Sequence, residues 1–239
     1  MQSYYPIFLN LEGKRSVVIG GGPVAEGKIA KLRESGSQIT VISPEATPVI
    51  RQAARQGSVE WFDRKYEPGD LTGAFIAIAA TNQRSVNQQI FEEAERLGVL
   101  LNVVDDPERC SFIAPSIIER GPVTLAISSG GASPALARKL RESLTGSPAL
   151  KWADLAGVVV QARDHLKANN VSVDPQRWQC CLTPELLDLF EAGREADALG
   201  SLVAGLTGEY PVELCESVGH CQPKGCNQKF KAPAAAVAE

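Results

Sequence analysis

The chain alternates short, almost wholly apolar runs with longer stretches whose apolar residues recur every three or four positions, and this alternation organises its first 105 residues. Runs such as Val-Val-Ile at 17–19, Ile-Thr-Val-Ile at 39–42 and Ala-Ile-Ala-Ala at 77–80 lack the strict polar alternation of a half-exposed strand, so they read as strands covered on both faces. The pattern predicts strands at 16–19, 38–42, 59–62, 75–80 and 100–104, and helices at 24–35, 47–56 and 85–97. That order, β-α-β-α-β-β-α-β, predicts an α/β fold with a doubly wound parallel sheet of Rossmann type.

Past residue 110 the texture changes. Two extended segments, 111–119 and 123–128, flank an Arg120-Gly121-Pro122 turn, and a loop over 129–134 leads into a helix with Pro134 in its first turn and Ser133 as N-cap. After Gly146-Ser147-Pro148 the remainder reads as helical, with helices expected at 151–168 and 184–192. The last 25 residues mix Gly219, Pro223 and Gly225 with cysteines and end in an alanine-rich stretch, the composition of a flexible tail. The expected division is 1–113, 114–146, 147–210 and 211–239.

Composition narrows the class. With 44% apolar and 22% charged residues in 239, the chain can bury a core and is neither a disordered, a collagen-like nor a disulfide-knot sequence. No apolar run approaches the roughly 20 residues that span a bilayer, and the start MQSYYPIFLNLEGK lacks a basic segment followed by a long apolar one. A cytoplasmic protein with no membrane partner is expected. The six cysteines are then expected to be reduced, with adjacent Cys180 and Cys181 acting as buried small hydrophobes. The net charge of −4 argues against nucleic acid as a partner. It hides a basic island: residues 109–141 hold five basic groups, Arg109, Arg120, Arg138, Lys139 and Arg141, against one acid.

The chemistry begins at Gly20-Gly21-Gly22-Pro23-Val24-Ala25, a G-x-G-x-x-A pattern between a predicted strand and helix. There a small residue permits the tight turn, another lets backbone approach a pyrophosphate, and a third allows close helix packing, while the helix N-terminus attracts the phosphates. About 20 residues on, where a ribose contact belongs, the second strand ends at Ser43-Pro44-Glu45. Glu45 or Ser43 could take the ribose hydroxyls. The nearest arginine is Arg51, which favours NAD over NADP. Thr81, at the end of the 75–80 strand, is a candidate contact to the nicotinamide half.

Several reaction classes drop out. None of the four tyrosines begins the Tyr-x-x-x-Lys motif of short-chain dehydrogenases. The first 109 residues hold neither cysteine nor histidine for a catalytic zinc or a histidine base. Acid–base work falls to a carboxylate. The best placed is Asp105 in Asn102-Val103-Val104-Asp105-Asp106-Pro107, where burial in a cleft beside a second negative charge would raise its pKa; Asp106 is read as capping the turn.

From Tyr5 to about Leu144 the chain resembles the precorrin-2 dehydrogenase and sirohydrochlorin ferrochelatase family, the N-terminal module of sirohaem synthases. The resemblance rests on Pro6-Ile7-Phe8, the glycine motif with Lys28, Ala77 to Asn82 with Val86-Asn87, Asn102 to Asp105, Ser111 to Ser116, and Ser128-Ser129-Gly130-Gly131-Ala132-Ser133-Pro134, in that order. It implies oxidation of precorrin-2 to sirohydrochlorin by NAD, followed in many members by insertion of ferrous iron to give sirohaem. It implies Asp105 as the catalytic base, while Gly20 to Val24, Ser43 to Glu45 and Thr81 are expected at the cofactor from the glycine pattern and the strand ends. It gives the basic island a purpose against a substrate with eight carboxylates, with Arg109, Arg120, Arg138, Ser128, Ser129 and Gly130 at the tetrapyrrole. It also implies a homodimer, formed through the 114–146 segment.

The methyltransferase module of larger sirohaem synthases finds no counterpart, so another protein is expected to supply precorrin-2. The tail departs from the family. Cys215, His220, Cys221 and Cys226 are candidate metal ligands, but their C-x5-C-x4-C spacing lacks a C-x2-C knuckle. The competing reading is a non-catalytic NAD-sensing module, which needs the glycine loop but neither Asp105 nor the basic island.

Overall fold

Runs that are apolar on both sides can be buried only in the middle of a layered structure, and four of them, joined by a short, partly exposed edge strand, form the central sheet. The computed structural model describes residues 4–208. Strands β1 (Arg15–Ile19), β2 (Gln38–Ile42), β3 (Glu60–Phe62), β4 (Ile76–Ala79) and β5 (Leu100–Val103) pair in parallel in the order β3-β2-β1-β4-β5. Helices α1 (Pro23–Glu34), α2 (Pro48–Arg55) and α3 (Arg84–Leu97) connect them. Successive strand residues serve opposite faces: Val18, Val41 and Ile78 pack with Ala25, Ile29 and Ile50 of α1 and α2, whereas Val17, Ile19, Ile42 and Ala79 pack with Ile90 and Ala94 of α3. The doubly wound architecture and its element order are those predicted.

Successive strands are added outward from β1 to β3 and then, from β4, on the other side of β1, so the boundary between β1 and β4 is the topological switch point of the sheet. The long crossover from β3 to β4 is held by polar contacts. Arg64 grips Asp70 through two hydrogen bonds of 2.6 and 2.8 Å, and despite burial these hold the Asp70 carboxyl below its usual range. Glu93, only 5% exposed on the inner face of α3, accepts hydrogen bonds from the Tyr66 hydroxyl and from the backbone N–H groups of Gly69 (2.9 Å) and Leu71 (3.3 Å). Burial, then the bond to Glu93, pushes the Tyr66 phenol above the ordinary tyrosine range, so it stays a donor.

The described residues divide into two compact units. The first runs to Pro115 and includes Ser128–Pro134; the second comprises Ser116–Ile127 and the residues from Ala135 onward. In the second, β6 (Ser116–Arg120) and β7 (Val123–Ile127) form an antiparallel hairpin, and Arg120 ties it to the helical segment through a two-pronged pair with Asp154 at 2.5 and 2.6 Å. Helices α4 (Pro134–Thr145), α5 (Ala156–Ala168), α6 (Pro175–Cys181), α7 (Pro184–Glu191) and α8 (Glu195–Thr207) follow, and the core of this segment gathers Leu155, Val158, Ala162, Leu186, Leu202 and Leu206. Among the described residues no helix is long and apolar enough to cross a membrane.

Three local expectations change. The strand expected over 111–119 begins only at Ser116, because Ser111 and Phe112 bond individually to Leu101 and Asn102 and Pro115 has no N–H for a ladder. The helix expected over 151–168 is a 3₁₀ stretch, Pro148–Leu155, followed by α5. Of the two adjacent cysteines only Cys181 is buried; Cys180 is half-buried.

Because Glu93 satisfies three donors of the crossover at once, Glu93→Ala should cost about 3 kcal/mol, leaving buried donors without partners. Urea denaturation measures it; a loss below about 0.5 kcal/mol would mean the crossover holds without that carboxylate.

Candidate functional site

At the carboxyl ends of β1, β2 and β4 lies a cleft of about 760 Å³. Its floor is made of glycines because backbone comes too close for any side chain. A β-carbon at Gly20, whose φ is +120°, would lie 2.3 Å from the Ala80 carbonyl oxygen, and one at Gly21 would lie 2.0 Å from the Glu45 carbonyl oxygen. Hydrogen bonds from Gly20 to Ile42 (2.9 Å), from Ala80 to Ile19 (2.7 Å) and from Thr47 to Gly21 (2.9 Å) lock these segments together. A β-carbon at Gly22, in contrast, would meet no atom within 4 Å. That open space borders the start of α1, where Pro23 has no N–H and no side chain caps the helix. An uncapped, positive helix end over a glycine floor fits a pyrophosphate.

The cleft has two arms. Along β2 it is lined by Ser43, Pro44, Glu45, Ala46, Thr47 and Arg51, with Lys65 and Tyr66 opposite. Ser43 is 9% exposed, and its carbonyl accepts the Trp61 indole N–H at 3.0 Å. Arg51, eight residues beyond Ser43 in sequence, reaches the cleft because α2 starts directly after Thr47 and its first turn carries Arg51 back over that residue. Along β4 the lining is Ala80, Thr81, Asn82, Gln83 and Val86. The Thr81 hydroxyl accepts the Gln83 N–H at 3.0 Å and can still donate; the Asn87 amide holds the Thr81 carbonyl at 3.1 Å, while its own Oδ1 is buried without a partner among the described residues. All nine residues expected at the cofactor, Gly20 to Val24, Ser43 to Glu45 and Thr81, line this one cleft.

Asp105 follows β5, the strand beside β4, and is not among the cleft-lining residues. It departs from expectation: β5 ends at Val103, the chain turns outward, and Asp105 is exposed rather than enclosed. Its backbone is left-handed, with φ +60°, a conformation that aspartate tolerates better than most residues. Asp106 does not cap the following turn with its side chain; it pairs with the Arg109 guanidinium, whose Nε donates to Gln88 at 2.9 Å. Sequence reasoning passed over Cys110. Its sulfur sits 3.2 Å from the Val103 N–H nitrogen and from the carbonyl oxygens of Val103 and Asp106, bracing the Asp105 turn, and burial pushes its thiol pKa up.

The remaining candidates fall in both units. Ser128, Ser129 and Gly130 belong to the first unit, in a loop where the Ser129 hydroxyl bonds both the N–H and the carbonyl of Ser133. Arg120 and Arg138 belong to the second, Arg120 already paired with Asp154 and Arg138 exposed on α4. Among the described residues no group of three histidine, cysteine or acidic side chains could hold a metal. Cys215, His220, Cys221 and Cys226 lie outside the described residues.

Residues 7–116 match the family described as "Putative NAD(P)-binding", and residues 120–147 match "Sirohaem biosynthesis protein central". The chain is 39% identical over 215 residues to siroheme synthase 1 of Aeromonas salmonicida, covering 86% of this chain and 46% of that one. It is 40% identical over 205 residues to siroheme synthase 3 of Aeromonas hydrophila, covering 82% and 44%. It thus spans about half the length of these relatives. The solved structure of "SirC, precorrin-2 dehydrogenase" shares the fold, with a TM-score of 0.68 over 83% of this chain and 98% of that one at 24% identity.

The glycines provide a paired test. Gly21→Ala should cost about 1–3 kcal/mol in folding stability through its clash with Glu45, whereas Gly22→Ala should leave the melting temperature unchanged and weaken dinucleotide binding more than about tenfold. Calorimetric titration beside thermal unfolding separates the two, and full affinity in Gly22→Ala would remove the pyrophosphate from this floor.

Proposed function

We propose that the chain, similar to siroheme synthases over about half of their length, oxidises precorrin-2 to sirohydrochlorin with NAD. The observation that carries this reading is the cleft at the switch point, a glycine floor under an uncapped helix end, one strand away from an exposed carboxylate with no protein partner among the described residues. Bound in that cleft, NAD supplies the acceptor for the hydride that the tetrapyrrole gives up.

The residues of the chain do the rest. Gly22 and the first N–H groups of α1 bind the pyrophosphate, Ser43 and Glu45 the adenosine ribose, and Thr81 orients the nicotinamide half. Asp105 takes the proton that leaves the carbon skeleton as the hydride departs, and its exposure lets it reach a large substrate lying over the sheet edge. Cys110 holds the turn that presents it. Within the first unit the Ser128 to Gly130 loop offers hydroxyl and N–H donors to the carboxylates of the tetrapyrrole, and Arg109 reaches them only by exchanging its acidic partner Asp106.

We further infer a cytoplasmic homodimer, in keeping with an NAD-linked reaction, and ferrous iron as a second substrate, the same Asp105 accepting pyrrole protons on insertion. A non-catalytic NAD sensor would have no use for the unpaired carboxylate.

Purified protein mixed anaerobically with precorrin-2 and NAD should produce NADH and sirohydrochlorin absorption, then sirohaem absorption on adding ferrous iron. Asp105→Ala should abolish turnover while NAD affinity stays within about tenfold, or 1.4 kcal/mol. NAD binding without turnover in the unmodified protein would favour the sensor, and loss of NAD binding in the variant would make Asp105 structural.

A further inference from the structure

The adenosine arm of the cleft carries more positive charge than a ribose diol requires. Sites selective for NAD set an acid at the end of the second strand to bind the 2′-hydroxyl and repel a 2′-phosphate. Here that position is Ser43, followed by Pro44, and the acid comes only at Glu45, which is exposed. Two cations line the same arm, Arg51 and Lys65.

Arg51 is positioned rather than loose. Its Nε donates to the Ala46 carbonyl at 2.9 Å, and its guanidinium lies 5.8 Å from the centre of the Trp61 ring, which is itself anchored to Ser43. These contacts use one edge and one face of the guanidinium. Neither terminal nitrogen has a protein partner among the described residues, which leaves a fork of the geometry that binds phosphate oxygens in pairs. Lys65, exposed on the loop after β3, likewise has no acidic partner among the described residues, and the nearby Asp70 is taken by Arg64. One carboxylate facing two unpaired cations leaves the arm net positive, which suits an added dianion better than a neutral diol.

We propose that the cleft accepts NADP as well as NAD, with Arg51 and Lys65 taking the 2′-phosphate. The proposal rests on reading the cleft as a dinucleotide site. Calorimetric titration of the full chain with NAD and NADP, at low and high salt, tests both. The expected result is NADP affinity within about tenfold of NAD, falling more steeply with salt. Arg51→Ala should then weaken NADP at least tenfold and NAD less than threefold, Arg51→Lys should recover part of the NADP affinity, and Lys65→Ala should act in the same direction as Arg51→Ala. NAD binding with NADP more than tenfold weaker overturns the proposal and leaves the cleft reading intact. Equal losses for both nucleotides in Arg51→Ala also overturn it, making Arg51 a support for Trp61 and the Ala46 turn. Failure of both nucleotides to bind overturns the cleft reading and the proposal together.

Discussion

Three stretches of backbone meet at the end of β1 with no space for a side chain between them. Gly20 presses on Ala80 at the end of β4, and Gly21 presses on Glu45 in the loop after β2. Interiors are packed too tightly to absorb a misplaced methyl group at contacts of 2.0 and 2.3 Å, so these positions need glycine. The consequences run outward. The close approach draws the carboxyl ends of β2 and β4 in toward β1, roots the cleft at the switch point, and aims the start of α1 into it. Gly22, under no such pressure from the protein, is the glycine whose missing side chain benefits a ligand.

Around this floor the structure separates holding from reacting. The crossover that brings Lys65 and Tyr66 to the cleft is fastened to α3 by the buried Glu93, and the turn that presents Asp105 is braced by Cys110. Neither support touches the open face of the cleft, yet each sets where a lining or reacting group stands. Asp105 itself has no partner among the described residues, as a residue that must exchange protons with a substrate requires.

Much of this was legible in the chain. The doubly apolar runs and three amphipathic stretches are enough for a parallel sheet and its order of elements, and the G-x-G-x-x-A spacing marks the floor. What escaped depended on direction in space. Arg51 lies eight residues beyond Ser43 in sequence, but one helical turn beyond Thr47 returns it to the cleft. Glu93 looks like a solvent-facing acid in Glu92-Glu93 until Tyr66 and two backbone N–H groups arrive from a distant loop. Asp105 was expected in an enclosed site because it ends a strand; a left-handed turn, invisible to periodicity, sends it outward. The basic island is less free than its sequence suggests, since Arg109 and Arg120 each have an acidic partner within their own unit.

The central claim is that a dinucleotide lies across the switch point with its reactive end directed toward β5. A crystal structure of the protein with NAD tests it most directly. The account predicts the pyrophosphate over Gly22 at the start of α1, the adenosine along β2 and the nicotinamide beyond Thr81 on the side of Asp105. A pyrophosphate bound away from α1, or a nicotinamide directed toward β3, would contradict it.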